Sequence, residues 1–150
     1  MMKAGEGLRV LLAEDEALAA AVLADALAEM GHAVVHAADG ETAFGLASAV
    51  PFDVLVTDLA MPRMTGLELI PRLRAENPGL PVVVMTGYLS DEAARMLASP
   101  AMGPTALLLK PFPLGQLAAA LDRVAALRAP QVCLPVARPL TLGQGTVRLA

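Results

Sequence analysis

One cysteine, no tryptophan and 3% aromatic residues are the first features of this 150-residue chain, and each scarcity excludes something. A single thiol, Cys133, makes neither an internal disulfide nor a zinc cluster, which fits a reducing compartment; on its own it reads as a small apolar residue. Charge is also sparse, at 17%, yet no long uncharged run results. The longest stretches without Asp, Glu, Lys or Arg are residues 77–90 and 96–109, each broken by proline. A membrane-spanning helix needs ~20 apolar residues, so none is expected. The 56% hydrophobic content is instead inflated by alanine, which helices carry on any face. Eleven basic against fifteen acidic residues give a net charge of −4 without blocks of either sign, so no direct nucleic-acid partner is expected. Leu8 to Ala13 is too short for a signal-peptide core, which points to the cytoplasm.

What is present is a regular alternation. Leu8 to Ala13, His32 to Ala37, Phe52 to Thr57, Pro81 to Met85 and Pro104 to Leu109 are short apolar runs of strand length. Val54-Leu55-Val56 and Val82-Val83-Val84 are continuously apolar, as strands covered on both faces are. Between the runs lie helical patterns. In Ala17 to Met30, Val22, Leu23, Ala26, Leu27 and Met30 are expected on one side, with Gly31 as the stop. Asp39, Thr65 and Ser90 or Asp91 are N-cap candidates for the next three helices, and Leu114, Leu117, Leu121 and Val124 mark a fifth. Successive runs are too far apart for hairpins and suit βα units, so a (βα)5 doubly wound α/β domain over residues 8–128 is expected. Residues 1–7 form an N-terminal extension. The Pro- and Gly-containing residues 129–150 form a tail with no effector domain; a packed ribbon, a self-association element and a linker are all open for it.

In an open parallel sheet, chemistry gathers beyond the carboxyl ends of the strands. Glu14 and Asp15 follow the first run, Asp58 the third, Thr86 the fourth and Lys110 the fifth. Each alone has an ordinary explanation as cap, turn or surface charge. Together, three acids on one rim repel, and a hard cation that keeps several waters and accepts one or two carboxylates, Mg²⁺, relieves that repulsion. With Lys110 and a divalent ion the pocket is about neutral and admits an anion, for which a phosphoryl group is the obvious candidate. Asp58 would then be the nucleophile, with Thr86 bonding a phosphoryl oxygen.

The motifs Val10-Leu11-Leu12-Ala13-Glu14-Asp15-Glu16, Val54-Leu55-Val56-Thr57-Asp58-Leu59-Ala60-Met61-Pro62 with Thr65-Gly66, Val83-Val84-Met85-Thr86-Gly87 and Leu109-Lys110-Pro111-Phe112 resemble the receiver domain of two-component response regulators, the CheY-like superfamily. The resemblance implies a flavodoxin-like five-stranded parallel sheet of order 2-1-3-4-5 flanked by five helices. It also implies that Asp58 is the phosphoacceptor, served by a sensor histidine kinase or histidine phosphotransfer protein, and that a downstream protein target reads the α4-β5-α5 face. The implied Mg²⁺ ligands are Asp15, Asp58, the Ala60 backbone carbonyl, and Glu14 largely through water. Thr86 is the implied switch hydroxyl and Lys110 the phosphate-pairing lysine, with a cis bond to Pro111. The family often has an aromatic residue three positions before the lysine; here it is Leu107. Ala60 and Tyr88 occupy positions that, by the resemblance, tune loss of the phosphoryl group in this family. The implied protein is a phosphoacceptor rather than a turnover enzyme, either a single-domain regulator or a module of a hybrid kinase.

A receiver-fold scaffold that binds partners without phosphorylation is the alternative. A haloacid-dehalogenase-like hydrolase wants Asp-x-Asp after the first strand, where Glu14-Asp15-Glu16 stands. An FMN carrier lacks its phosphate loop, and a P-loop protein lacks Gly-Lys-Ser/Thr. His32 and His36 have no acidic or cysteine companion in sequence and are expected in packing or edge positions.

Overall fold

The computed structural model describes residues 7–99 and 102–127. Five strands, β1 (Arg9–Ala13), β2 (Ala33–Ala37), β3 (Val54–Asp58), β4 (Val82–Thr86) and β5 (Thr105–Leu109), alternate with α1 (Ala17–Glu29), α2 (Gly40–Ala49), α3 (Gly66–Glu76), α4 (Asp91–Ala98) and α5 (Leu114–Leu127). All strand pairs are parallel and the order is β2-β1-β3-β4-β5, so the expected doubly wound topology is borne out. The ladders begin one or two residues inside each apolar run. β3 reaches one residue further than its run, so Asp58 is its last residue.

The period of two along each strand divides the core into two layers. Val10, Leu12, Val54, Val56, Val83 and Met85 face Leu23 and Leu27 of α1 and Leu117, Leu121 and Val124 of α5. Leu11, Ala13, Leu55, Val82 and Val84 face Ala43 of α2, Leu69, Ile70 and Leu73 of α3, and Ala93 of α4. Each fully buried Leu, Val or Ile contributes ~1.5–3 kcal/mol over an exposed one. β3 and β4 are buried throughout, whereas β2 is largely exposed because it forms the sheet edge.

Local chemistry sets the helix ends. Asp39 accepts the Thr42 amide at the start of α2, Thr65 and Glu68 form a capping box on α3, and Ser90 accepts the Ala93 amide on α4. Gly31, at φ 95°, follows α1 as expected. One expectation on α1 is corrected: its buried stripe is Ala20, Leu23, Ala26 and Leu27, and Val22 is 59% exposed. At ~100° per residue Val22 lies a quarter-turn from Leu23, and it shares the outward side with Leu18 at i,i+4 spacing.

Arg74 of α3 is buried, and among the described residues no carboxylate is a partner of its guanidinium. It donates to the carbonyls of Leu80, Met102 and Pro104 and to the Thr105 hydroxyl, joining α3 to the starts of β4 and β5. Burial pulls its pKa down to about 10, which still leaves it charged at neutral pH. The expectations for residues 1–6 and 128–150, including Cys133 and the tail, lie outside the described residues.

Candidate functional site

Because every strand runs the same way, the carboxyl ends of β1, β3, β4 and β5 form one rim. Glu14 and Asp15 follow β1 there, Asp58 and Thr86 end β3 and β4, and Lys110 follows β5. Carboxylate oxygens of Glu14, Asp15 and Asp58 lie within 4.8 Å of one another, and these three form the only such acidic group among the described residues. Glu14 and Asp58 are buried while Asp15 is exposed, so the cluster opens to solvent on the Asp15 side.

Lys110 joins the two buried acids. Its Nζ donates to Asp58 Oδ2 at 2.7 Å and to Glu14 Oε1 at 3.0 Å. Burial works against its charge, but the hydrogen bonds and charges of Asp58 and Glu14 outweigh that, and the ammonium is held above its ordinary pKa. The remaining oxygens are also engaged: the Ala60 amide donates to Asp58 Oδ1 at 3.1 Å and the Glu16 amide to Glu14 Oε2 at 3.1 Å. Each oxygen of Glu14 and of Asp58 thus has a protein donor, which leaves the exposed Asp15 as the most available ligand for a cation. The set suits a hard, oxygen-seeking divalent ion such as Mg²⁺. Gly66 permits the approach of α3 to this loop, since a Cβ there would lie 2.3 Å from the Asp58 carbonyl oxygen.

The other expected residues are distributed around this cluster. Thr86 is buried, but its hydroxyl donates to the Tyr88 carbonyl at 2.8 Å and accepts the Tyr88 amide at 3.3 Å, so it is committed to its own loop. Tyr88 is 79% exposed and Ala60 is exposed. Leu107 is half-buried against the α2–α3–α4 layer. The Lys110–Pro111 bond is cis.

Sequence reasoning missed two neighbours. His36, on the exposed edge strand, places Nε2 2.8 Å from the Glu14 carbonyl; a carbonyl only accepts, so that nitrogen carries the proton. His32, just before β2, uses Nδ1 to accept the Leu8 amide. Neither histidine joins the acidic group, in keeping with the expectation of packing or edge roles. The second omission is Asp39, read only as a cap, whose other oxygen holds Arg63 of the β3–α3 loop. An ion pair between distant elements leaves no local pattern in the sequence.

Residues 10–122 match the family described as the response regulator receiver domain. The chain belongs to that family. The transcriptional regulatory protein TcrA of Mycobacterium tuberculosis is 37% identical to this receiver over 145 residues, covering 95% of the chain and 53% of TcrA. The response regulator receiver protein CpdR of Brucella abortus is 34% identical over 116 residues, covering 77% of the chain and 95% of CpdR. Among solved structures, the chemotaxis protein CheY4 of Vibrio cholerae superposes with a TM-score of 0.71 at 32% identity, covering 79% of this chain and 98% of that one. The chain spans about half the length of several curated relatives, TcrA among them. Receivers are phosphoacceptors in two-component signalling, and the acidic pocket here is of the kind such acceptors carry.

Proposed function

We propose that Asp58 accepts a phosphoryl group from the phosphohistidine of a sensor histidine kinase or histidine phosphotransfer protein. The observation that carries this reading is the placement of Lys110, an ammonium 2.7 Å from a buried carboxylate at the rim of the sheet. A carboxylate oxygen of Asp58 attacks phosphorus in line with the donor nitrogen. The new P–O bond forms as the P–N bond breaks, and the departing imidazole keeps the electron pair and takes up a proton. Lys110 then exchanges a carboxylate contact for a phosphoryl oxygen.

Asp15, Asp58 and the Ala60 carbonyl would hold Mg²⁺ directly and Glu14 largely through water, with Asp58 sharing its oxygens between the ion and its present donors, the Ala60 amide and Lys110. The ion, when bound, supplies positive charge to the transferring oxygens. A protein donor is supported by α1: Leu18 and Val22, 80% and 59% exposed, form an apolar outer side on a helix that begins two residues after Asp15.

For Thr86 to reach a phosphoryl oxygen it must release the Tyr88 backbone, which remodels the loop before α4. α4 has one buried residue, Ala93, so little packing opposes its displacement. The α4-β5-α5 face therefore carries the signal to a downstream protein, with Leu107 in place of the usual aromatic. One charge-assisted hydrogen bond contributes ~1.5–3 kcal/mol against the ~5.5 kcal/mol of a full two-state reversal, so Thr86, Lys110 and the loop amides act together. Exposed Ala60 and outward Tyr88 leave the acyl phosphate open to water, so the phosphoryl group is lost intrinsically and no substrate is turned over. No described helix is long and apolar enough to cross a membrane, and with one cysteine the reading places the chain in the cytoplasm. We take residues 8–128 as the receiver and 129–150 as its tail.

Incubation with phosphoramidate, a small P–N donor, followed by intact mass measurement tests the reading. One phosphoryl group is expected with Mg²⁺ and none with EDTA. No incorporation in either condition would favour a non-switching scaffold.

A further inference from the structure

The loop after Asp58 is held by three contacts that phosphoryl chemistry does not itself require. Arg63 has φ 67°, left-handed for a residue with a Cβ, and the Met64 amide donates to the Pro62 carbonyl across it at 2.7 Å, closing a three-residue turn. Such turns are rare and strained, and left-handed backbone costs a non-glycine residue ~1–2 kcal/mol. Arg63 also reaches back to α2, with Nη2 2.6 Å and Nε 3.2 Å from Asp39 Oδ2. Asp39 is buried, and its Oδ1 accepts the Thr42 amide at 2.7 Å, so one carboxylate caps α2 and holds the loop. Beside it, Gly40 lies flush on the same turn: a Cβ there would sit 2.0 Å from the Met64 carbonyl oxygen.

We propose that Arg63 is a positioning residue for the acceptor site: its pairing with Asp39 locks the strained β3–α3 turn against α2 and so fixes the backbone of Ala60 beside Asp58. The turn begins two residues after Ala60, whose amide orients Asp58 Oδ1. A lock on Pro62–Met64 therefore limits where the Ala60 amide and carbonyl can lie. Strain of this kind persists only where surrounding structure enforces it, and here the enforcing contacts come from another element of the fold. Holding a group within a fraction of an ångström of its working position is what outer supports of a reactive centre supply. The Ala60 carbonyl's part as a cation ligand, and the reaction served, rest on the function proposed above.

The test compares wild type with Arg63→Gly, Arg63→Lys, Asp39→Asn and the Arg63→Gly/Asp39→Asn double variant. Arg63→Gly relieves the turn while removing the ion pair, so it separates positioning from folding. Each protein is titrated with MgCl₂ alone by calorimetry, its stability is measured in urea, and its rate of phosphoryl incorporation from phosphoramidate is followed. Arg63→Gly is expected to unfold at a urea concentration close to wild type yet bind Mg²⁺ about three- to tenfold more weakly, at or below the ~10-fold lower end for loss of an outer support because Arg63 acts through the backbone and not on a ligand side chain. Its incorporation rate falls by a similar factor, Arg63→Lys recovers most of both, and the double variant is no worse than either single one. Wild-type Mg²⁺ affinity and incorporation rate in folded Arg63→Gly would overturn the proposal. Should wild type bind Mg²⁺ but take up no phosphoryl group, the acceptor reading fails, while the Mg²⁺ titrations still decide the lock.

Discussion

Replacing Lys110 by methionine keeps most of the side-chain volume and removes the charge between two buried acids. Its Nζ contacts at 2.7 and 3.0 Å each carry an attraction of ~5–6 kcal/mol at an effective dielectric of ~20, before desolvation is counted. Most of that gross figure is offset by taking the ions out of water; removing one partner of a buried pair typically costs ~3–5 kcal/mol. The Lys110 side chain is 27% exposed, and solvent screening lowers the expectation to about 2–4 kcal/mol. In urea denaturation at neutral pH with EDTA, Lys110→Met should lose that amount. With saturating MgCl₂ it should regain half or more, because a ligand at ~100 times its Kd adds about 2.7 kcal/mol to the folded state and the variant cluster is one charge more negative. The pH dependence has a definite sign. A lysine whose folded pKa is raised contributes its full stability below the ordinary value of 10.5 and loses it as pH rises through the folded value, so the gap between the proteins should close only above about pH 10.5. A variant within ~0.5 kcal/mol of wild type in EDTA, unaffected by Mg²⁺, would refute the assignment of Lys110 as the counter-charge of the pocket.

The carboxyl of Asp39 is held down to about 2 by the Thr42 amide and by Arg63. Its contribution is present above the ordinary 3.8 and is lost as pH falls toward 2, so Asp39→Asn should flatten the acid limb of the stability profile in that window; superimposable limbs would contradict this. Arg74→Leu withdraws a donor from the Leu80 and Met102 carbonyls and should cost about 2–4 kcal/mol in urea unfolding, while phosphoryl uptake by the folded fraction stays at the wild-type rate. A neutral outcome would mean that water replaces the guanidinium. Gly66→Ala drives a Cβ against the Asp58 carbonyl and should both destabilise the fold by ~1–3 kcal/mol and slow phosphoryl uptake, so normal uptake would argue against the close approach of α3.

The parallel order of apolar runs and the acids at their ends were legible because both are local: a run such as Val54 to Thr57 declares a covered strand, and the residue after it declares the rim. Asp58, Lys110, Glu14 and Asp15 therefore fell together when the chain folded. Orientation was less legible. Thr86 stands on the rim as expected, but its hydroxyl bonds to Tyr88, a choice between two nearby partners that spacing does not encode. Val22 was misjudged because a helix rich in Ala and Leu offers apolar residues on every side, and only packing selects the buried stripe. The Asp39–Arg63 pair and the Arg74 bonds to Pro104 and Thr105 were illegible because they span 24 to 31 residues.

The central claim rests on one atom group, the Asp58 carboxylate. The protein should be incubated with Mg²⁺ and a small phosphodonor, digested, and its peptides mapped by mass. One base-labile phosphoryl group is predicted on the peptide containing Asp58, and none in Asp58→Asn. A phosphoryl group on another residue, or one that persists in Asp58→Asn, would contradict the account.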